Sequence, residues 1–158
     1  MRLPWTIVVA LAGCGSAAGT PQPYVAVAGT GSGAVVDELV VAVSGLRSDQ
    51  GTVRCYLFDD GTGFPDSKDH VIAAAVALPA ARAGTCRFRG VRRDRDYAIV
   101  LLHDENNDNV FQKNLFGIPQ EGYGFSNNAK PRFSAPSFDA CKFHFTSGTR
   151  DLAIAMQY

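Results

Sequence analysis

The residues able to do chemistry crowd into one stretch, HDENNDNVFQKNLFGIPQEGYGFSNNAK, running from His103 to Lys130. Within it, Asp104, Asn106 and Asp108 keep the D-x-N-x-D spacing of calcium loops. That spacing aims alternate side-chain oxygens at one centre while the backbone wraps around it. The Val110 carbonyl falls at the next ligand position. Two residues depart from the pattern. Asn109 stands where a turn glycine is usual, although asparagine tolerates a left-handed backbone better than most residues. Leu115 stands where a bidentate glutamate is expected, so Glu121 or Glu105 would have to replace it. A site of this kind binds calcium weakly, with a Kd on the order of 10⁻⁴–10⁻³ M as in extracellular modules. The competing reading is a turn whose Asx side chains cap their own backbone.

The same stretch admits two other chemistries. His103 and Glu121, with Asp104 and Glu105 nearby, supply a general acid and base, and Ser126 supplies a hydroxyl nucleophile. The serine sits in Gly124-Phe125-Ser126-Asn127, however, which is not a G-x-S-x-G elbow. A histidine at the end of a strand more often hydrogen-bonds the adjoining loop. The expectation is therefore a protein without catalytic residues. The third chemistry is recognition. His103, Glu105, Glu121, Tyr123, Phe125 and Asn127 combine aromatic area with a few polar groups, as small-molecule, glycan and peptide sites do. Phe111, Phe116 and Phe133 add to the aromatic crowd. The plainer reading of those rings is that they pin a long loop to the domain as a minor second core, because long loops are ordered only when packed by their own side chains.

These residues need a scaffold, and the surrounding text reads as strands. Short apolar runs recur with turn signals between them, the pattern of a sandwich or barrel. Seven strands are expected: 38–46, 52–58, 70–78, 85–91, 97–103, 138–146 and 152–158. Tyr97 to Leu102 is apolar on both faces, which predicts a central strand covered on each side. Cys141, Phe143 and Phe145 alternate with Lys142 and His144, the in/out pattern of a half-buried strand. Cys141 and His144 form a C-x-x-H pair, but that odd offset on a strand puts them on opposite faces, where they cannot share a metal.

Composition agrees with a packed domain. Of 158 residues, 46% are apolar and 19% charged, which excludes intrinsic disorder for the chain as a whole. Formal net charge is zero, so no global field draws the chain to nucleic acid or an anionic membrane. Arg87, Arg89, Arg92, Arg93 and Arg95 cluster around one turn. Asp94 and Asp96 are interleaved without an aromatic platform, which predicts a solvated hairpin tip.

The amino terminus has a different character. Met1 to Ala12 is one positive charge followed by an apolar run too short to span a bilayer, which needs about 20 residues. Its length is that of a signal-peptide core. Leu11-Ala12-Gly13-Cys14 matches a lipobox, so residues 1–13 are read as a signal peptide and Cys14 as the lipidated residue. Ordinary cleavage near Ala12 or Ala28 is the alternative, as is a start codon set too far downstream. Residues 14–36, rich in glycine, serine, alanine and proline, are read as a flexible tether. The expected location is the cell envelope, periplasmic or on the outer membrane, and otherwise the secreted fraction, with membrane contact only through Cys14. Disulfides persist there. Cys55 and Cys86 share strand faces with apolar i±2 neighbours, which predicts a bridge between them. Cys141 is left as a buried thiol.

Three blocks in order carry a family resemblance: His103-Asp104-Glu105-Asn106 ending a strand, Gly117-Ile118-Pro119-Gln120-Glu121-Gly122-Tyr123-Gly124-Phe125-Ser126-Asn127, and Pro136-Ser137-Phe138. From about Glu38 onward the chain resembles a bacterial exported family called domain of unknown function 2141. The resemblance implies a β-sandwich and no established activity. The family usually has a glycine and then an aspartate further along the acidic loop, where this chain has Asn109 and Gln112. The whole reading is an all-β protein: residues 37–158 form a seven-stranded antiparallel β-sandwich, immunoglobulin-like or transthyretin-like. It is a non-catalytic module of unknown role with calcium as its one candidate cofactor. A small molecule, glycan or protein is the expected partner, and nucleic acid is not. The rivals are a hydrolase using His103 and Glu121, and a purely structural envelope protein.

Overall fold

The computed structural model describes residues 36–110, 112 and 120–158. The signal peptide, the lipidation at Cys14 and all of the tether but Val36 lie outside the described residues, as do Phe111, Leu115 and Phe116.

Valine-rich Glu38–Ser44 forms β1, which lies at the centre of a three-stranded sheet between β4 (Gly84–Arg89) and β8 (Thr149–Ala155). The second sheet runs in the order β3 (Ala73–Ala77), β2 (Thr52–Phe58), β5 (Arg95–Asp104), β6 (Gly122–Phe125). A short β7 (Phe143–Phe145) pairs with the start of β5. Leu39, Val41, Val43, Phe88 and Ile154 of the first sheet pack with Val53, Leu57, Ile99 and Leu101 of the second in one buried cluster. Each such side chain contributes roughly 1.5–3 kcal/mol by leaving water. The predicted bridge is present, joining Cys55 of β2 to Cys86 of β4 with Cα atoms 6.5 Å apart. It therefore ties one sheet to the other.

The all-β expectation holds, with differences in detail. Eight strands stand among the described residues instead of seven, and β1 pairs with β8 in parallel, so the arrangement is not purely antiparallel. The extra strand is β6, whose Gly-Tyr-Gly-Phe sequence carries a turn signal and only four residues. The predicted 138–146 strand is broken. Ser137 caps a four-residue helix, α1 (Phe138–Cys141), by accepting the Ala140 N–H at 3.3 Å. The chain is extended again from Lys142, and β7 begins at Phe143. Phe143 and Phe145 are buried around an exposed His144, as the alternation requires.

Cys141 faces a different cluster. Together with Phe58, Ala98, Val100 and Phe125 it forms a second core on the outer face of β5. Phe64 joins it, edge-on to Phe58 at 5.1 Å and to Phe138 at 5.7 Å. Residues 97–101 of β5 are thus buried on both faces. The arginine cluster is paired with nearby acids: Arg87 and Arg89 with Glu38, Arg93 with Asp37, Arg95 with Asp59.

Candidate metal centre

β5 ends at Asp104, and that carboxylate organises the loop after it. Its Oδ1 accepts the Asp108 N–H at 3.1 Å and its Oδ2 accepts the Asn109 N–H at 3.0 Å. Oδ2 also meets Arg54 Nε at 2.9 Å, in an ion pair whose carboxylate is nearly fully buried. The neighbouring turn must come close to do this. Gly51, at φ +69°, lies so near the Asp104 carbonyl that a Cβ there would sit 1.9 Å from its oxygen. Only glycine fits such an approach.

The loop then coils through two left-handed asparagines, Asn107 at φ 58° and Asn109 at φ 62°. Asn109 thus supplies the conformation for which calcium loops use glycine. Asn106 Oδ1 accepts the Asp108 N–H at 3.1 Å, and its amide donates to Asp108 Oδ2 at 2.8 Å. Val110 donates its N–H to Asp108 Oδ1 at 2.8 Å, and the Gln112 amide donates to Asp108 Oδ2 at 2.6 Å. These are the contacts of a turn whose Asx side chains cap their own backbone.

The residue completing the cluster lies just ahead of the strand that was not anticipated. Glu121, immediately before β6, brings a carboxylate oxygen to Asp104 and Asp108, and one oxygen from each of the three lies within 4.8 Å of the others. Of the two candidates to replace the missing glutamate, Glu121 is the one that converges. Glu105 points away, held by Arg47 Nε at 2.8 Å and by the Ser48 hydroxyl. Asp104 and Glu121 are buried, and Asp108 is exposed.

The electrostatics follow from this crowding. Burial pushes the Glu121 carboxyl above its ordinary range, and the charges of Asp104 and Asp108 push it the same way. The Val110 N–H and the Asn106 amide hold Asp108 below the usual carboxylate range. The Arg47 guanidinium holds Glu105 low. Arg54 pairs with Asp104 alone, and the Val110 and Gln112 N–H groups reach Asp108 and Glu121; three carboxylates facing one another suit a hard divalent cation that accepts oxygen ligands in flexible geometry. Asp104, Asp108 and Glu121 could bind one directly, and Asn106 and Val110 are positioned through Asp108.

The recognition set is dispersed. His103, expected at a ligand surface, is fully buried. Its Nε2 donates to the Gln50 carbonyl at 2.8 Å and its Nδ1 is hydrogen-bonded to the Tyr158 hydroxyl at 2.7 Å. The strand register is the reason, since His103 pairs with Val53 and Gly122 in the middle of the second sheet. Phe125 is buried and Tyr123 half-buried, both against the second core. Asn127 is exposed, but its amide donates to the Ala140 and Lys142 carbonyls and stitches the loop to α1 and β7. Tyr123 and Phe125 thus pin their end of the loop, whereas Phe133 is fully exposed and packs on neither core. The Ser126 hydroxyl is also buried, donating to the Cys141 carbonyl at 2.7 Å and accepting the Ile99 N–H at 2.9 Å.

Arg54 and Lys68 escape the sequence reading. Lys68 donates to the Asn109 carbonyl at 3.0 Å. Both reach the acidic loop from distant stretches of chain, and only the strand pairing of β2 with β5 could have pointed to Arg54.

A model of the family described as "Uncharacterized protein conserved in bacteria (DUF2141)" matches residues 41–153. No curated protein and no solved structure matches the chain.

Proposed function

The chain belongs to this bacterial family, domain of unknown function 2141, and we propose that it is an exported, membrane-tethered β-sandwich module whose acidic loop takes a calcium ion. The ion ties Asp104, Asp108 and Glu121 together and does no chemistry on a substrate. The observation that carries this reading is the convergence of Asp104, Asp108 and Glu121, two of them buried, on one point at the end of β5. Burying like charges together is costly unless something compensates them. Calcium bound there would join the end of β5 to the start of β6.

A non-catalytic role is supported by His103 and Ser126, whose polar atoms are spent on backbone and on Tyr158. The sandwich is of immunoglobulin-like or transthyretin-like kind. Export and lipidation at Cys14 are supported by the leader and lipobox. A partner, whether small molecule, glycan or protein, would meet the surface of the 104–137 loop.

The test is terbium luminescence in chelator-treated protein, with calcium as the displacing ion. Wild type is expected to bind terbium and release it to calcium, and Asp108→Asn to bind neither. Equal binding by wild type and variant would refute the site. Intact mass of protein from the membrane fraction tests the anchor, which an unmodified Cys14 would refute.

A further inference from the structure

β3 is an edge strand. Among the described residues it pairs with β2 on one side only, and half of an edge strand's N–H and C=O groups face away from its sheet. Edge strands are usually defended by lysine, proline or a bulge. From Val71 to Ala81 the chain carries no charge, and its one proline, Pro79, lies beyond the end of β3. Ile72, Val76 and Leu78 are 49%, 56% and 78% exposed, large apolar side chains on alternate positions with Ala74 between them.

The surroundings keep this edge accessible. On the opposite side of the domain the sheets are joined, Tyr123 and Gln157 exchanging backbone hydrogen bonds of 2.9 and 2.8 Å. On the β3 side a groove of about 760 Å³ separates the sheets. Across it β4 is defended, with Arg87 and Arg89 paired to Glu38.

We propose that β3 pairs antiparallel with β3 of a second copy of this chain, about a two-fold axis through Ala75. The occupant is argued from the register. A two-fold at Ala75 sets Ile72 opposite Leu78 of the second copy and Ala74 opposite its Val76. Every exposed apolar position then meets another, twice over, and no charge is buried. A self-complementary patch of this kind gives a closed dimer, because the same surface is used by both copies. The pairing makes the two four-stranded paths one continuous sheet and uses the free edge groups of both strands.

The experiment is the solution mass of the full chain carrying Cys14→Ser, which keeps lipid off. The expected mass is twice that of one chain, falling to one chain in Val76→Lys and staying doubled in Val76→Ile. Circular dichroism and an intact Cys55–Cys86 bridge establish that each variant is folded. Mixing an Ala74→Cys chain with a Val76→Cys chain is expected to give a disulfide-linked pair, since the proposed register sets these positions opposite. A monomeric parent, a dimer that survives Val76→Lys, or a dimer whose mixed cysteines do not cross-link would overturn the proposal.

Discussion

The Nδ1 atom of His103 stands 2.7 Å from the Tyr158 hydroxyl, fastening residues beyond β8 to the interior of β5. The other ring nitrogen, Nε2, donates to the Gln50 carbonyl at 2.8 Å, so both nitrogens of the buried ring are hydrogen-bonded. The Tyr158 oxygen also accepts the Arg47 N–H at 3.0 Å, and the Arg47 guanidinium lies 4.7 Å over its ring. Gly122 makes room, because a Cβ there would meet the ring at 2.5 Å.

Tyr158→Phe is therefore expected to leave a buried imidazole nitrogen unsatisfied, at a cost of about 1–3 kcal/mol. Urea unfolding reads this directly. An unchanged midpoint would mean that the hydroxyl does not close the network.

Cys141 is fully buried and its thiol is pushed up to about 11 by desolvation. The thiolate is the reactive form, so iodoacetamide at neutral pH should leave native Cys141 unlabelled and modify it once the chain is unfolded. Rapid labelling of folded protein would contradict the second core described around it.

Glu121 gives a pH dependence of definite sign. Its folded pKa lies above the unfolded value, so the folded state holds the proton more tightly and stability falls as pH rises between the two values. Without calcium, Glu121→Gln should melt higher than wild type at neutral pH, with the gap closing below the ordinary carboxylate range. A gap that widens on acidification would reverse the argument.

The Cys55–Cys86 bridge closes a sequence separation of 31 between the two sheets. Reducing it is expected to cost about 3–4 kcal/mol in the chain-entropy model, measured as a shift in denaturant midpoint between oxidised protein and the Cys55→Ala/Cys86→Ala variant.

What could be read from the sequence was local. Valine-rich β1, the two-sided apolar run of β5 and the faces of Cys55 and Cys86 each announce themselves within a few residues. The D-x-N-x-D spacing marks Asp104 and Asp108 for the same reason. Glu121 became a partner only through the pairing of β6 with β5, and β6 is four residues long and half glycine. The alternation of Phe143 and Phe145 around His144 hid the short helix that Ser137 caps just before them. His103 was expected to end its strand, whereas β5 runs on to Asp104 and the Gln50 carbonyl of the neighbouring turn caps the buried ring. Parallel pairing of β1 with β8 is a long-range contact that no window of sequence contains.

The central claim is that Asp104, Asp108 and Glu121 hold calcium. Thermal melts of wild type in chelator and in calcium at about ten times Kd test it most directly. The expected stabilisation is about 1.4 kcal/mol by mass action, absent in Asp108→Asn and in Glu121→Gln. Identical wild-type melting curves in chelator and in calcium would contradict the account.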